Sequence, residues 1–124
     1  MADKKKIVVA DDEPVILSTL FDTLSDDYDV YTASNGRLAI SEVEKTLPDL
    51  VILDVMMPDM DGIEACKELK KNKITSSIPV ILLTVKSLAS DINEGYESGA
   101  EAYVVKPFSP VKLIEKVGEI LNKT

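Results

Sequence analysis

Apolar residues in this chain come in two rhythms. Unbroken runs at Ile7-Val8-Val9-Ala10, Leu50-Val51-Ile52-Leu53 and Pro79-Val80-Ile81-Leu82-Leu83 read as strands buried on both faces, because a one-sided strand would alternate with polar residues. Tyr28 to Ala33 alternates more and holds fewer aliphatics, which suggests a sheet edge, and Ala102-Tyr103-Val104-Val105 supplies a last strand. Between the runs, apolar residues recur at three and four spacing. Leu17, Leu20, Phe21 and Leu24 form one buried stripe, and Ala39, Ile40, Val43 and Leu47 a second. Ile63, Cys66 and Leu69 form a third, and Leu113, Ile114, Val117, Ile120 and Leu121 the last.

The boundaries carry helix signals. Pro14 suits a first helical turn, Ser34-Asn35-Gly36 offers caps, Asp61 can cap the third helix, and Ser109 precedes Pro110 at the final one. Lys70 to Ser77 reads as a polar loop. A fourth helix, about Ser87 to Ser98, has only the weak stripe Leu88, Ile92 and Tyr96 around an interior Gly95, and is expected to be the least rigid. Gly99 is placed to end it in a left-handed turn. Strand and helix alternate to the end, so the chain is expected to be an α/β (βα)5 domain with a parallel sheet covered by helices.

Composition narrows the chemistry. At 124 residues the chain is expected to be one domain with an ordered core of about residues 5–122, either a stand-alone protein or a unit cut from a longer one. The single cysteine, Cys66, has no internal partner for a disulfide, and Met1 to Lys6 lacks the apolar core of a signal peptide. A cytoplasmic protein follows as the expectation. No apolar run approaches the roughly 18 residues of a membrane span. The formal charge of −8 and the lack of a basic, aromatic-interleaved stripe argue against direct nucleic-acid binding. Histidine is absent, which excludes Ser-His-Asp catalysis and imidazole metal ligation.

What remains is carboxylates, hydroxyls and lysines, and they stand where strands end. Asp11 and Asp12 follow the first strand, Asp54 the third, Thr84 the fourth and Lys106 the fifth. In a parallel sheet these ends share one rim, the usual ligand site. Three crowded carboxylates repel and call for a proton or a cation, and hard oxygen ligands favour Mg2+. Asp54 is then the candidate phosphate acceptor, since carboxylates form aspartyl phosphates. Lys106 and the Thr84 hydroxyl are suited to holding phosphoryl oxygens.

Five segments together resemble a receiver domain of the response regulators of two-component signalling: Ile7 to Pro14, Leu53 to Gly62, Leu83-Thr84, Gly99 to Tyr103 and Lys106-Pro107-Phe108. They span nearly the whole chain in order. The resemblance implies a flavodoxin-like three-layer sandwich with strand order 2-1-3-4-5. It implies that Asp54 takes its phosphoryl group from a phosphohistidine on a partner histidine kinase or phosphotransfer protein. Mg2+ would be held by Asp12, Asp54, water and the Met56 backbone carbonyl, with Asp11 acting through a metal-bound water. The domain would assist its own phosphorylation and dephosphorylation without being an enzyme on separate substrates. Lys106-Pro107 is expected to be a cis peptide. Tyr103 matches the switch aromatic that turns inward when Thr84 moves, exposing a surface on the fourth helix, last strand and last helix to a downstream target or effector. The resemblance also leaves room for a dimer formed on phosphorylation.

Val85 departs from the pattern, standing where the family usually carries alanine or glycine. With Met56 and Lys86 it is expected to tune access to the site and slow self-dephosphorylation. Three alternatives are weaker. An aspartate-based phosphohydrolase pairs its nucleophile with a second Asp two residues on, where this chain has Met56. A flavin module needs a phosphate cradle after the first strand, which Asp11-Asp12-Glu13 would repel. A phosphorylation-independent interaction module on the same fold would not need the full set of five residues.

Overall fold

The computed structural model describes residues 4–85 and 96–122. Its elements are β1 (Lys6–Ala10), α1 (Pro14–Leu24), β2 (Asp29–Ala33), α2 (Gly36–Thr46), β3 (Leu50–Asp54), α3 (Gly62–Lys71), β4 (Val80–Val85), β5 (Ala102–Lys106) and α4 (Pro110–Leu121). The strands form one five-stranded sheet in the order β2-β1-β3-β4-β5, with every pairing parallel. This is the flavodoxin-like arrangement. The fourth helix expected from the sequence, with Lys86, Leu88, Ile92 and Gly95, lies almost wholly outside the described residues.

Alternation along each strand divides the core in two. Val8, Ala10, Val51, Leu53 and Leu82 face α2 and α3, meeting Ala39, Val43, Ile63, Cys66 and Leu69. Ile7, Val9, Leu50, Ile52, Ile81 and Leu83 face α1 and α4, meeting Leu20, Leu24, Leu113, Val117 and Leu121. The central strands β1, β3 and β4 therefore carry apolar residues on both faces along Ile7–Ala10, Leu50–Leu53 and Val80–Leu83, and each buried leucine or isoleucine contributes about 1.5–3 kcal/mol. No helix among the described residues is long and apolar enough to cross a membrane.

The caps fix where helices begin. Asn35 Oδ1 accepts from the Leu38 N–H at 2.9 Å. Asp61 and Glu64 form a reciprocal capping box, with Asp61 Oδ1 accepting from Glu64 N–H at 2.8 Å. Ser109 Oγ accepts from Lys112 N–H at 3.4 Å, with Pro110 in the first turn. Gly99 has φ 102°, the left-handed turn expected of it.

Three stripe residues do not go where periodicity put them. Leu47 is 52% exposed because α2 ends at Thr46 and Leu47 takes a left-handed cap conformation, φ 47°, that swings it off the inner face. Phe21 and Ile114 are both 41% exposed, on the flanks of stripes whose centres are Leu20 and Leu24, and Leu113 and Val117. The segment read as a polar loop after Lys70 is knitted to the core. Thr75 is buried and donates to the Leu69 carbonyl at 2.6 Å, and Lys70 Nζ donates to the Ile78 carbonyl at 2.7 Å.

Candidate functional site

The sheet register brings the polar residues together. Ala10 lies beside Leu53, Asp54 beside Leu83, and Val85 beside Lys106, so the ends of β1, β3, β4 and β5 form one rim. Strand alternation continues through these ends. Asp11, Asp54 and Lys106 fall on the α1/α4 side of the sheet, and Thr84 and Tyr103 on the other.

Asp11 is fully buried and Asp54 is 3% exposed, whereas Asp12 is exposed. One carboxylate oxygen from each lies within 4.8 Å of the others. Lys106 Nζ sits among them, 2.8 Å from Asp11 Oδ2 and 3.2 Å from Asp54 Oδ2. It also reaches Glu13 Oε1 at 3.5 Å. Glu13 closes the loop from its backbone, donating its N–H to Asp11 Oδ1 at 2.9 Å. Asp54 Oδ1 accepts the Met56 N–H at 3.3 Å.

One ammonium does not neutralise this group. Burial, and next the charge of Asp11, push the Asp54 carboxyl up from 3.8 to about 6, against the opposing pull of Lys106 and the Met56 N–H. For Lys106, burial favours the neutral amine, but its close polar contact with the Asp11 carboxylate and the charges of Asp54 and Asp11 outweigh that, so its pKa lies above the usual value. Asp11 Oδ2, though in ion-pair reach of Lys106, receives no well-directed hydrogen bond from a described residue. A buried, under-satisfied oxygen within an all-oxygen donor set suits a hard divalent cation with its own waters.

The remaining expected residues surround the cluster. Thr84 is 2% exposed and its hydroxyl donates to the Val85 carbonyl at 3.4 Å. Tyr103 is half-buried and meets Tyr96 edge-on, ring centroids 5.1 Å apart. Met56 is 61% and Val85 39% exposed at the rim, and Lys86 lies outside the described residues. The Lys106–Pro107 peptide bond is cis. Glu13 is the participant that sequence reasoning passed over. It read as the end of an acidic turn, and its reach to Lys106 depends on the distant β5. A groove of about 430 Å3 lies apart from the carboxylates, beside β5 and α4, lined by Tyr103, Val105, Phe108 and Lys112 among others.

Comparison with known proteins agrees with this geometry. Residues 7–118 match the model of the response regulator receiver domain. The alkaline phosphatase synthesis transcriptional regulatory protein PhoP of Bacillus subtilis is 43% identical over 121 residues, covering 97% of this chain and 50% of that protein. The probable transcriptional regulator ycf27 of Cyanophora paradoxa is 45% identical over 123 residues, covering 98% and 50%. The chain thus spans about half the length of these relatives. A putative response regulator from Chloroflexus aurantiacus superposes with a TM-score of 0.92 at 32% identity, covering 98% of this chain and 100% of that one. The chemotaxis protein CheY4 of Vibrio cholerae gives 0.90 at 32% identity, covering 95% and 99%. From motif order, sheet topology and these matches together, the chain belongs to the response regulator receiver domain family.

Proposed function

We propose that this receiver domain accepts a phosphoryl group on Asp54 in a Mg2+-dependent reaction and passes the event on as a conformational change. The observation that carries this reading is a buried carboxylate, Asp54, held 3.2 Å from the ammonium of Lys106 beside a second buried carboxylate, Asp11. A structural ion pair needs one carboxylate. Here two buried acids, Asp11 and Asp54, converge on one lysine with the exposed Asp12 carboxylate beside them, an arrangement that disfavours burial unless it serves charge arriving from outside.

Asp12, Asp54 and the Met56 backbone carbonyl are the proposed direct ligands of Mg2+, with Asp11 acting through a bound water. When bound, the cation would supply positive charge that offsets the repulsion of these carboxylates for an incoming phosphoryl group. An Asp54 carboxylate oxygen attacks phosphorus, forming the acyl phosphate P–O bond. The bond from phosphorus to the donor's nitrogen or oxygen breaks, and its electron pair leaves with the donor, which takes a proton from solvent if it needs one. Lys106 releases Asp54 Oδ2 and holds a phosphoryl oxygen, and the Thr84 hydroxyl turns from the Val85 carbonyl to donate to another. Most of the rate enhancement is positioning and charge.

The downstream event is a population shift. Movement of Thr84 opens space for Tyr103 to leave its edge contact with Tyr96 and turn inward, which alters the surface around β5 and α4. Residues 1–124 act as a single receiver domain in the cytoplasm. The upstream partner is a histidine kinase or phosphotransfer protein. The downstream partner is a protein or linked effector domain and not nucleic acid, in keeping with the formal charge of −8. Exposed Met56 and Val85 flank the approach to Asp54 and set the lifetime of the phosphorylated state.

Intact-mass spectrometry after incubation with acetyl phosphate tests the reading. One phosphoryl adduct is expected with Mg2+, and none with a chelator or in Asp54→Asn. An adduct that forms equally without Mg2+, or that survives in Asp54→Asn, would overturn it.

A further inference from the structure

The loop between β3 and α3, Val55 to Asp61, carries Met56 past the carboxylates, and its shape is held from three sides. At its base, the Gly62 N–H donates to the Val55 carbonyl at 3.0 Å, and a side chain at Gly62 would collide with the Asp54 carbonyl. At its tip, the Met60 N–H donates to the Pro58 carbonyl at 2.7 Å across Asp59, whose φ of 67° is left-handed. That is a γ-turn of the strained kind, which persists only where its surroundings over-determine it. On its outer side, the loop rests on the first residue of α2. A Cβ on Gly36 would lie 3.0 Å from Met60 Cβ, 3.1 Å from the Met60 carbonyl carbon and closer still to the carbonyl oxygen. The Met60 side chain meanwhile packs against the core on the α2/α3 side of the sheet.

We infer that Gly36 is a positioning residue for the cation site: the bare backbone at the start of α2 is the backstop that sets the 55–61 loop, and through it the Met56 carbonyl. The inference rests on the function proposed above. It adds a residue on a different element, and it reverses an ordinary expectation. In a helix, alanine is favoured over glycine, so Gly36→Ala should stabilise α2 if the loop were indifferent to it. With the backstop, the new methyl group must push Met60 and the γ-turn outward and move Met56 away from the carboxylates. Gly118, within α4, is the matched control, because the nearest atom to a Cβ there is Asn122 Nδ2 at 4.0 Å.

Isothermal titration with MgCl2, without phosphodonor, is the test, paired with thermal melts of the same samples. For Gly36→Ala the expected result is an Mg2+ Kd raised at least fivefold. Gly118→Ala should stay within twofold of wild type with an unchanged or higher Tm. Asp59→Ala, which makes the left-handed φ of 67° costlier without crowding Gly36, should raise the Kd at least twofold over Asp59→Asn, which removes the same charge but tolerates that φ, so the inference stays testable if Gly36→Ala does not fold. A wild-type Kd in folded Gly36→Ala, whatever its Tm, would overturn the backstop and leave the cation site standing. Equal Kd values in Asp59→Ala and Asp59→Asn alongside an unfolded Gly36→Ala would do the same. If the wild-type protein bound no Mg2+, the cation reading and the backstop would fall together.

Discussion

Replacing Asp54 by asparagine should make the protein more stable. The Asp54 carboxyl sits at about 6 in the folded chain against an ordinary 3.8, chiefly because it is buried and next because Asp11 is beside it. A raised carboxylate means that the folded state holds its proton more tightly than the unfolded state. Stability therefore increases as pH falls from about 6 towards 3.8 and is lost as pH rises through about 6. The gap is roughly two pH units, so at pH 7.5 the ionised Asp54 costs about 3 kcal/mol relative to its neutral form. Asparagine mimics that neutral form in shape. In the presence of a chelator, Asp54→Asn should gain about 3 kcal/mol in urea unfolding at pH 7.5, or about 10 °C in Tm for a domain of this size. The difference should shrink to near zero by about pH 4, where the wild-type side chain is itself protonated. Added Mg2+ should narrow it from the other direction, by stabilising only the wild type. An asparagine variant no more stable than wild type at pH 7.5, or a gain that does not shrink towards pH 4, would refute the reasoning.

Further outcomes follow from the same geometry. Lys106→Met removes the cation that opposes the rise at Asp54, so the Asp54 pKa should climb above about 6 and phosphorylation by acetyl phosphate should slow at least tenfold; NMR titration of the Asp54 carboxyl carbon and a rate assay would check both, and an unchanged pKa would contradict the pairing. Glu13→Gln should change unfolding free energy by less than about 1 kcal/mol, because the Glu13 side chain is 63% exposed and its contact with the largely buried Lys106 is long, at 3.5 Å; a larger loss in urea titration would give Glu13 a weightier place. Val85→Ala should speed dephosphorylation several-fold in a phosphate-release assay if its side chain shields Asp54 from water, and an unchanged rate would remove that explanation. Leu82→Ala, at a fully buried position, should lose about 2–5 kcal/mol in urea unfolding while its folded fraction still takes up phosphate; a loss below about 1 kcal/mol would show that the core closes over the cavity.

Sequence and structure agree best where a single physical rule governs. The runs at Ile7, Leu50 and Val80 could only be strands buried on both faces, and the turns and caps between them left a parallel sheet as the consistent solution. The rim followed, because each polar residue directly continues an apolar run. Sequence reasoning erred where position depends on the last turn of a helix or on partners far along the chain. Leu47 continued the α2 stripe by spacing, but the helix had already ended in a left-handed cap. Phe21 and Ile114 belonged to the right stripes but to their solvent margins, which spacing alone does not resolve. Glu13 joined Lys106 across 93 positions of the 124-residue chain, and Gly36, at the start of α2, met Met60 of the β3–α3 loop. Neither contact leaves a local signature, and a glycine following Asn35 is explained well enough as a helix start.

The central claim is that Asp54 itself carries the phosphoryl group. Borohydride reduces an acyl phosphate to an alcohol, so an aspartyl phosphate is recovered as homoserine at the modified position. Protein treated with acetyl phosphate and Mg2+, reduced and mapped by peptide mass spectrometry should show homoserine at position 54, with Asp11, Asp12 and Asp59 intact. Homoserine at any of those three positions, or none at 54 in protein that has gained a phosphoryl group, would contradict the account.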